Sequence, residues 1–349
     1  MPLERSMSSR DDAAATPTAS EAVRRLVMGF RASQLVHVAA RLGLADLLAT
    51  GPRPAADLAE ATGAHPQALS RLLRALSTFE IFAERPDGKF ESTPFAEPLR
   101  RGQPLHRLAL IYGEPWLWQA YGNTWHSVMT GEPAFDAVHG QPLFDYLEHH
   151  PDAAAAFDQA MTAYSAQEAA AVLAAYDFSR IDLVVDVAGG QGRLLAAILA
   201  QQPQANGLLF ERPSVIDRAR EVLEQEGIVG RCALQSGDFF DAVPSGGDLY
   251  LLKSVLHNWS DEPALAILRA CRAAMRTGSR LLVIERVVAD GSEGAEAKLF
   301  DINMLVVIGG LERSAAQYRQ LFERAGFDLQ HVIPTRGVVS LLEARPRPI

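Results

Sequence analysis

The sequence has few cysteines. With only Cys232 and Cys271 in 349 residues, it has no disulfide framework and no zinc-ligand spacing, and a reducing, cytoplasmic setting is expected. Long apolar runs are missing as well. None reaches the roughly 18–20 residues needed to span a bilayer. The opening stretch "MPLERSMSSRDDAAATPTAS" has no apolar h-region, so it reads as a disordered arm over residues 1–20 and not as a secretory signal. Basic residues are outnumbered, 33 Lys and Arg against 42 Asp and Glu, for a net charge of -9. That balance argues against nucleic acid or an anionic membrane as partner. Aromatics make up only 7% of the chain, so any local concentration of them stands out. No fixed-period internal repeat is present.

What remains is an ordinary globular composition, 48% apolar and 21% charged, in a chain long enough for two domains. Residues 21–100 read as helices followed by a turn at Gly63–Pro66, a second helix over Gln67–Phe79 and a strand pair turning at Pro86-Asp87-Gly88. This is a winged-helix pattern. Its second helix offers only Arg71 and Arg74 to a nucleic acid, and its leucine stripe points to packing. Residues 101–178 continue as helices. From 179 to 349 strands and helices alternate. The strand runs are "LVVDVAG", "GLLFER", "CALQSGD", "DLYLLKS", "RLLVIERVV", "DLQHVIP" and "VVSLLEA". That spacing predicts an α/β fold with a mostly parallel, doubly wound sheet, and the last two runs sit close enough to form an antiparallel hairpin.

Three stretches carry candidate chemistry. "VVDVAGGQGRLL" is a buried strand, a turn with Gly189, Gly190 and Gly192, and a helix start, with Asp186 at the strand end. Glycines permit close approach of a ligand, and the helix N-terminus favours negative charge. The spacing does not meet G-x-G-x-x-G, and an acid beside the turn suits a ligand with a cationic end better than a pyrophosphate. Glu211 ends the next strand, where an acid can hold ribose hydroxyls. In "SGDFFDAVP", Asp238 is placed to accept from an adenine amino group with Phe239 or Phe240 against the ring. The bland alternative is an Asp turn with core aromatics. In "LLKSVLHNWSDE", a polar knot of His257, Asn258, Trp259, Ser260 and Asp261 interrupts an apolar run and a helix. Ser260 and Asp261 are expected to cap a helix that Pro263 begins. Ser314 and Gln317 form a capping-box pattern.

The ordered set "DVAGGQG", "FERP", "GDFF", "LLKSVLHNWSDE", "IERVV" and "GGLERS" resembles the S-adenosylmethionine-dependent O-methyltransferases of the two-domain kind, over nearly the whole chain past the arm. The resemblance implies a Rossmann-like seven-stranded catalytic domain at 179–349, a mainly helical winged-helix dimerisation domain at 21–100, and a helical linker at 101–178 that contributes to the substrate pocket. It implies a homodimer, S-adenosyl-L-methionine as cofactor with S-adenosyl-L-homocysteine as product, and no metal. By motif position the cofactor residues are Asp186, Gly189, Gly190, Gly192, Glu211, Asp238, Phe239, Lys253 and Ser254, with Trp259 near the adenine. His257 stands at the general base, flanked by Glu285 and Glu312. The chemistry is sound, because a phenol with a pKa near 10 needs a base at neutral pH and a neutral imidazole supplies one. Asn258 stands where many relatives carry Asp, which disfavours a substrate needing a negative neighbour.

The aromatic-dense stretches "YGEPWLWQAYGNTWHSV", "AFDAVHGQPLFDYL" and "FDQAMTAY" point to an apolar slot for a flat ring, expected between domains. Its candidate lining is Trp116, Trp118, Phe144, Phe157, Met161, Asn258, Asn303, Met304 and Val307. The function expected is methyl transfer to an aromatic hydroxyl of a small secondary metabolite such as a phenazine, a polyketide or another phenol. The alternatives are a nicotinamide-dependent oxidoreductase, a winged-helix regulator, or a methyltransferase fold that has lost methyl transfer.

Overall fold

The structure is a computed structural model that describes residues 18–348, so residues 1–17 of the expected arm lie outside the described residues. Two units divide between Gly102 and Gln103. In the first, helix α1 (Ala19–Leu42) begins within the last residues assigned to the arm. The Thr18 hydroxyl accepts from the Glu21 N–H at 3.3 Å, and the Glu21 carboxylate accepts from the Thr18 N–H at 2.8 Å, closing a capping box. Gly43, at φ 65°, ends α1 and opens α2 (Leu44–Leu48). Then come β1 (Arg53–Pro54), α3 (Ala55–Thr62), α4 (Pro66–Ser77), β2 (Phe82–Glu84) and β3 (Lys89–Ser92). Strands β2 and β3 pair antiparallel as the wing, and β1 adds a third strand on β3 that two residues gave no pattern to reveal. Leu69, Leu73 and Leu76 of α4 are buried at helical spacing. On its outer face Arg74 pairs with Glu84 of the wing at 2.9 Å, which neutralises one of the two arginines a nucleic acid would meet.

In the stretch "LVHVAARLGLADLL", Leu44, Ala45 and Leu48 are buried, because the Gly43 break lets α2 pack against β3. The exposed apolar residues lie upstream on α1, at Val23, Leu26, Val27 and Phe30.

The second unit opens with α5 (Pro104–Ile111), α6 (Pro115–Gly122), α7 (Thr124–Thr130), α8 (Ala134–His139), α9 (Leu143–His149) and α10 (Pro151–Ala175). A proline starts α5, α6 and α10, at the position where its missing N–H has no helical partner to lose. The alternating part runs β4 (Leu183–Val187), α11 (Arg193–Gln201), β5 (Asn206–Glu211), α12 (Pro213–Gln225), β6 (Cys232–Ser236), β7 (Leu249–Lys253), α13 (Asp261–Ala274), β8 (Arg280–Glu285), β9 (Val287–Val288), α14 (Ala295–Val307), β10 (Arg313–Ser314), α15 (Ala315–Arg324), β11 (Phe327–Pro334) and β12 (Ser340–Pro346).

All seven expected strand runs enter one sheet, in the order β11-β12-β8-β7-β4-β5-β6. The five strands from β8 to β6 are parallel, and β12 runs antiparallel to both β8 and β11, as the close spacing of the last two runs predicts. Both faces are covered. Leu282 and Ile284 of β8 enter one core cluster, while Leu281 and Val283 enter the other. The chain leaves β4 for β5 and β6, then returns to β7 on the other side of β4. Such a switch point opens a crevice at the strand C-termini. Ala188 (φ 56°) and Ser254 (φ 53°), non-glycine residues in the left-handed region, follow β4 and β7 there.

Two boundaries differ from expectation. The run "RLLVIERVV" breaks at Arg286, and Val287–Val288 leave the main sheet to pair in parallel with β10. Helix α13 starts at Asp261, two residues before Pro263. Ser260 occupies the N-cap but its side chain makes no capping bond, and the Asp261 carboxylate turns to Arg313 instead. The Ser314–Gln317 capping box forms as expected.

Candidate active site

The crevice brings together the acids and glycines singled out at the ends of β4, β5 and β6. Asp186 is 1% exposed, and its Oδ1 has no hydrogen-bond partner among the described residues. Burial pushes its carboxyl up to about 7, with Glu211 adding to the rise and the Lys253 ammonium opposing it. Gly189 lies directly on this carboxylate. A Cβ there would sit 2.3 Å from Asp186 Oδ2 and 2.7 Å from Leu209 Cδ1, so no larger residue fits. Gly192 starts α11 at φ 73°, and Gly190 precedes it at φ 60°. Glu211 accepts from the Arg212 N–H at 3.0 Å and from the Gly190 N–H at 3.4 Å, which ties the end of β5 to the turn after β4. Burial raises its carboxyl, against the pull of those two N–H groups.

Asp238 accepts from the Phe240 N–H at 2.8 Å, so one of its oxygens does make the Asp turn. Phe239 and Phe240 each meet Trp259 edge-on, with ring centroids 6.3 and 5.0 Å away. Trp259 is thereby brought to the end of β6. Lys253 ends β7, but its ammonium is already paired with Glu168 of α10 at 2.7 Å. Ser254 accepts through its carbonyl from the Asn258 amide at 3.3 Å, which holds Asn258 against the strand end.

The polar knot is a short 3₁₀ turn over Leu256–Asn258, with His257 6% exposed. The two acids do different jobs. Glu312 Oε1 is 2.7 Å from His257 Nδ1. An ionised carboxylate only accepts, so Nδ1 carries the proton and Nε2 keeps its lone pair. Glu285 Oε1 instead accepts from the backbone N–H groups of Val255, Leu256 and His257 at 3.0, 2.8 and 3.4 Å. Its other oxygen stands 3.7 Å from Nδ1. Burial pulls the imidazole pKa down, and the charges of Glu285 and then Glu312 more than reverse this, so it ends raised. Burial likewise raises the Glu285 carboxyl. The ligating atoms of His257, Glu285 and Glu312 lie within 4.8 Å of one another, a spacing that also suits a metal ion. Hydrogen bonds already engage Nδ1 and one oxygen of each acid.

The loop that delivers Glu312 depends on Gly310. A Cβ there would lie 2.1 Å from the His257 carbonyl oxygen, which the Leu311 N–H reaches at 2.8 Å. Asp301 of α14 accepts from the Glu312 N–H at 2.8 Å, and the Phe300 ring lies parallel to the imidazole at 6.2 Å. Arg286 stacks on the far ring, its Cζ 3.8 Å from the Phe300 centroid. Sequence reading missed Arg286, Phe300, Asp301 and Arg313. The only signal for Arg313 was its place beside Glu312.

The substrate-slot candidates divide. Trp116, Phe157 and Val307 belong to one apolar cluster, in which Trp116 is buried against Phe135 and Tyr146. Phe144 is exposed and touches the edge of Phe157, and Met161 is exposed on α10. Trp118 is half-buried on α6. Met304 accepts through its carbonyl from the Gly310 N–H at 3.3 Å, which ties α14 to the loop of Glu312, and Asn303 Oδ1 accepts from the Tyr121 hydroxyl of α6 at 2.7 Å.

The family model described as an O-methyltransferase domain matches residues 121–328, and that of the O-methyltransferase dimerisation domain matches residues 7–100. A phenazine O-methyltransferase of Lysobacter antibioticus is 41% identical, over 97% of this chain and 100% of its own. The solved structure of a mitomycin 7-O-methyltransferase superposes with a TM-score of 0.88 at 39% identity, covering 94% of this chain and 98% of that one. An O-methyltransferase from neocarzinostatin biosynthesis, solved with S-adenosylmethionine and 2-hydroxy-5-methyl naphthoic acid, superposes at 0.80 with 32% identity over 95% of this chain and 100% of its own.

Proposed function

Because the chain belongs to the S-adenosylmethionine-dependent O-methyltransferases, we propose that it methylates an aromatic hydroxyl of a small secondary metabolite, with His257 as general base. The observation that carries this reading is the 2.7 Å contact from Nδ1 to Glu312, which leaves Nε2 as the proton acceptor. The crevice fits the cofactor. The unpartnered Asp186 oxygen suits its amino group, Glu211 its ribose, and Asp238 with Phe239 and Trp259 its adenine, while Gly189, lacking a Cβ, leaves room for the Asp186 carboxylate that the site uses. When bound, the cofactor supplies an electrophilic methyl carbon.

His257 takes the hydroxyl proton at Nε2 as the oxygen attacks. Glu312 and Glu285 then stabilise the imidazolium, which is why its pKa is raised. General base catalysis is worth about 10²–10⁴ in rate. An aromatic hydroxyl is favoured over a ring nitrogen, since a nitrogen lone pair carries no proton for the base to remove. A flat fused ring is favoured by the kinds of acceptor named for the relatives, a phenazine and a naphthoic acid. A homodimer is supported by the dimerisation-domain match and by the apolar residues exposed on α1.

The test is incubation with isotope-labelled cofactor and a panel of hydroxyphenazines, naphthols and simple phenols, read by mass. One labelled methyl on oxygen is expected for at least one fused-ring phenol. A panel with no transfer, or transfer to nitrogen alone, would overturn the reading.

A further inference from the structure

The turn that carries His257 is gripped from two sides. Its N–H groups, on Val255, Leu256 and His257, converge on Glu285. Its carbonyls face Arg313. Nη1 donates to the Leu256 carbonyl at 3.0 Å and Nη2 to the Trp259 carbonyl at 2.8 Å. The same guanidinium donates to Asp261 Oδ1 from Nε and Nη2 at 3.0 and 2.9 Å, and to the Leu311 carbonyl at 3.4 Å. The Arg313 side chain is 1% exposed, while that of its counter-charge Asp261 is 54% exposed. Burying a guanidinium costs heavily unless its N–H groups are paired, and an apolar residue of similar volume would pack there without that cost. The two carbonyls it holds flank His257. One belongs to the residue before the base, the other to the indole at the cofactor crevice.

We propose that Arg313 is a positioning residue of methyl transfer, fixing His257 and Trp259 relative to each other by bridging the carbonyls on either side of the base. The proposal rests on His257 acting as base. Consecutive residues then divide the work, Glu312 holding the ring and Arg313 the backbone beneath it. Only a planar fork with several fixed donors spans both carbonyls and the carboxylate at once, so a lysine ammonium is no equivalent. Misplacing a catalytic group by 1 Å costs on the order of 10²-fold in rate.

The test compares wild type, Arg313→Lys and Asp261→Asn in the full chain. The first readout is the NMR signal of the Nδ1 proton shared with Glu312, observed without any substrate. It is expected to move upfield or broaden in Arg313→Lys. The second is kcat on two acceptors, a phenol un-ionised at the assay pH and a nitrophenol already ionised. Arg313→Lys is expected to lose roughly 10–100-fold on the first and much less on the second, because the second needs no base. Asp261→Asn removes only the exposed anchor's charge and should shift both readouts less, in the same direction. If Arg313→Lys fails to fold, Asp261→Asn makes the comparison alone. An unmoved Nδ1 proton, or equal losses on both acceptors, would overturn the proposal and leave Arg313 a packing residue. If wild type methylates no phenol, the functional reading falls, while the Nδ1 proton still decides whether Arg313 positions the imidazole.

Discussion

For His257 as the proposed base, only the neutral imidazole accepts a proton, so the groups around it would set the pH at which the reaction runs. Burial favours the neutral form, but Glu285 and Glu312 win, and the imidazole pKa is raised above its ordinary 6.5. Activity is therefore expected to rise with pH through a midpoint above 6.5, and a kcat–pH profile checks it. Glu285→Gln should lower that midpoint, since the strongest of the two raising charges is gone while the amide oxygen still accepts the three backbone N–H bonds. Glu285→Leu leaves those buried donors unpaired, at about 1–3 kcal/mol each, and should appear first as a lower thermal midpoint. His257→Ala should cost about 10²–10⁴ in rate with cofactor affinity by calorimetry nearly intact, because the proposed cofactor contacts lie at the glycine turn and strand ends. Sequence motif alone treats Glu285 and Glu312 as equivalent partners of one imidazole. Their separate roles depend on which oxygen meets a backbone N–H and which meets a ring nitrogen.

The unit at the next scale is β4 with its turn and α11. Asp186 has a folded-state value of about 7 against an ordinary 3.8, so the fold prefers its protonated form. The stability tied to this group is fully present below 3.8 and is lost as pH rises through about 7. Asp186→Asn should accordingly raise the thermal midpoint at pH 8 by several degrees, at roughly 2–4 °C per kcal/mol, and change little at pH 4. The same variant should weaken S-adenosylhomocysteine binding, because the anionic end of the site is lost. Gly189→Ala forces a Cβ within 2.3 Å of that carboxylate, and calorimetry should show cofactor affinity falling at least about tenfold, a loss of about 1.4 kcal/mol. Elements were the most legible level of the sequence. All seven strand runs, the final hairpin and the Ser314–Gln317 box are where local pattern puts them. The break at Arg286 was not legible, since "IERVV" is apolar enough to read as one strand. It ends where Glu285 turns to the 255–257 backbone and β9 departs to β10.

At the scale of the whole molecule, the exposed apolar residues of α1 predict self-association. Val23 is 57%, Leu26 80% and Val27 65% exposed, a stripe that a chain of this polarity rarely leaves to water. Wild type is expected to be a dimer by light scattering. The double variant Leu26→Asp, Val27→Asp should run as a monomer, with S-adenosylhomocysteine still binding once per chain. A dimeric double variant would place the interface elsewhere. Among the described residues no helix is long and apolar enough to cross a membrane.

The sequence by itself determined what depends on near neighbours: strand runs, the Ser314–Gln317 capping box, the glycine turn, and an ionisable residue at a strand end. Those follow from periodicity and capping over a few residues, where backbone sterics and one burial face decide the outcome. Only the tertiary structure decided which groups meet. Glu312 reaches His257 across 55 positions and Glu285 reaches its backbone across 28. Trp116 likewise meets Phe135 and Tyr146, rings from helices that only the folded chain brings to it. The physical reason is the strand order. Placing β7 between β4 and β8 brings the end of β8 against the turn after β7, and a side chain separated by dozens of residues finds its partner there only after the sheet has closed.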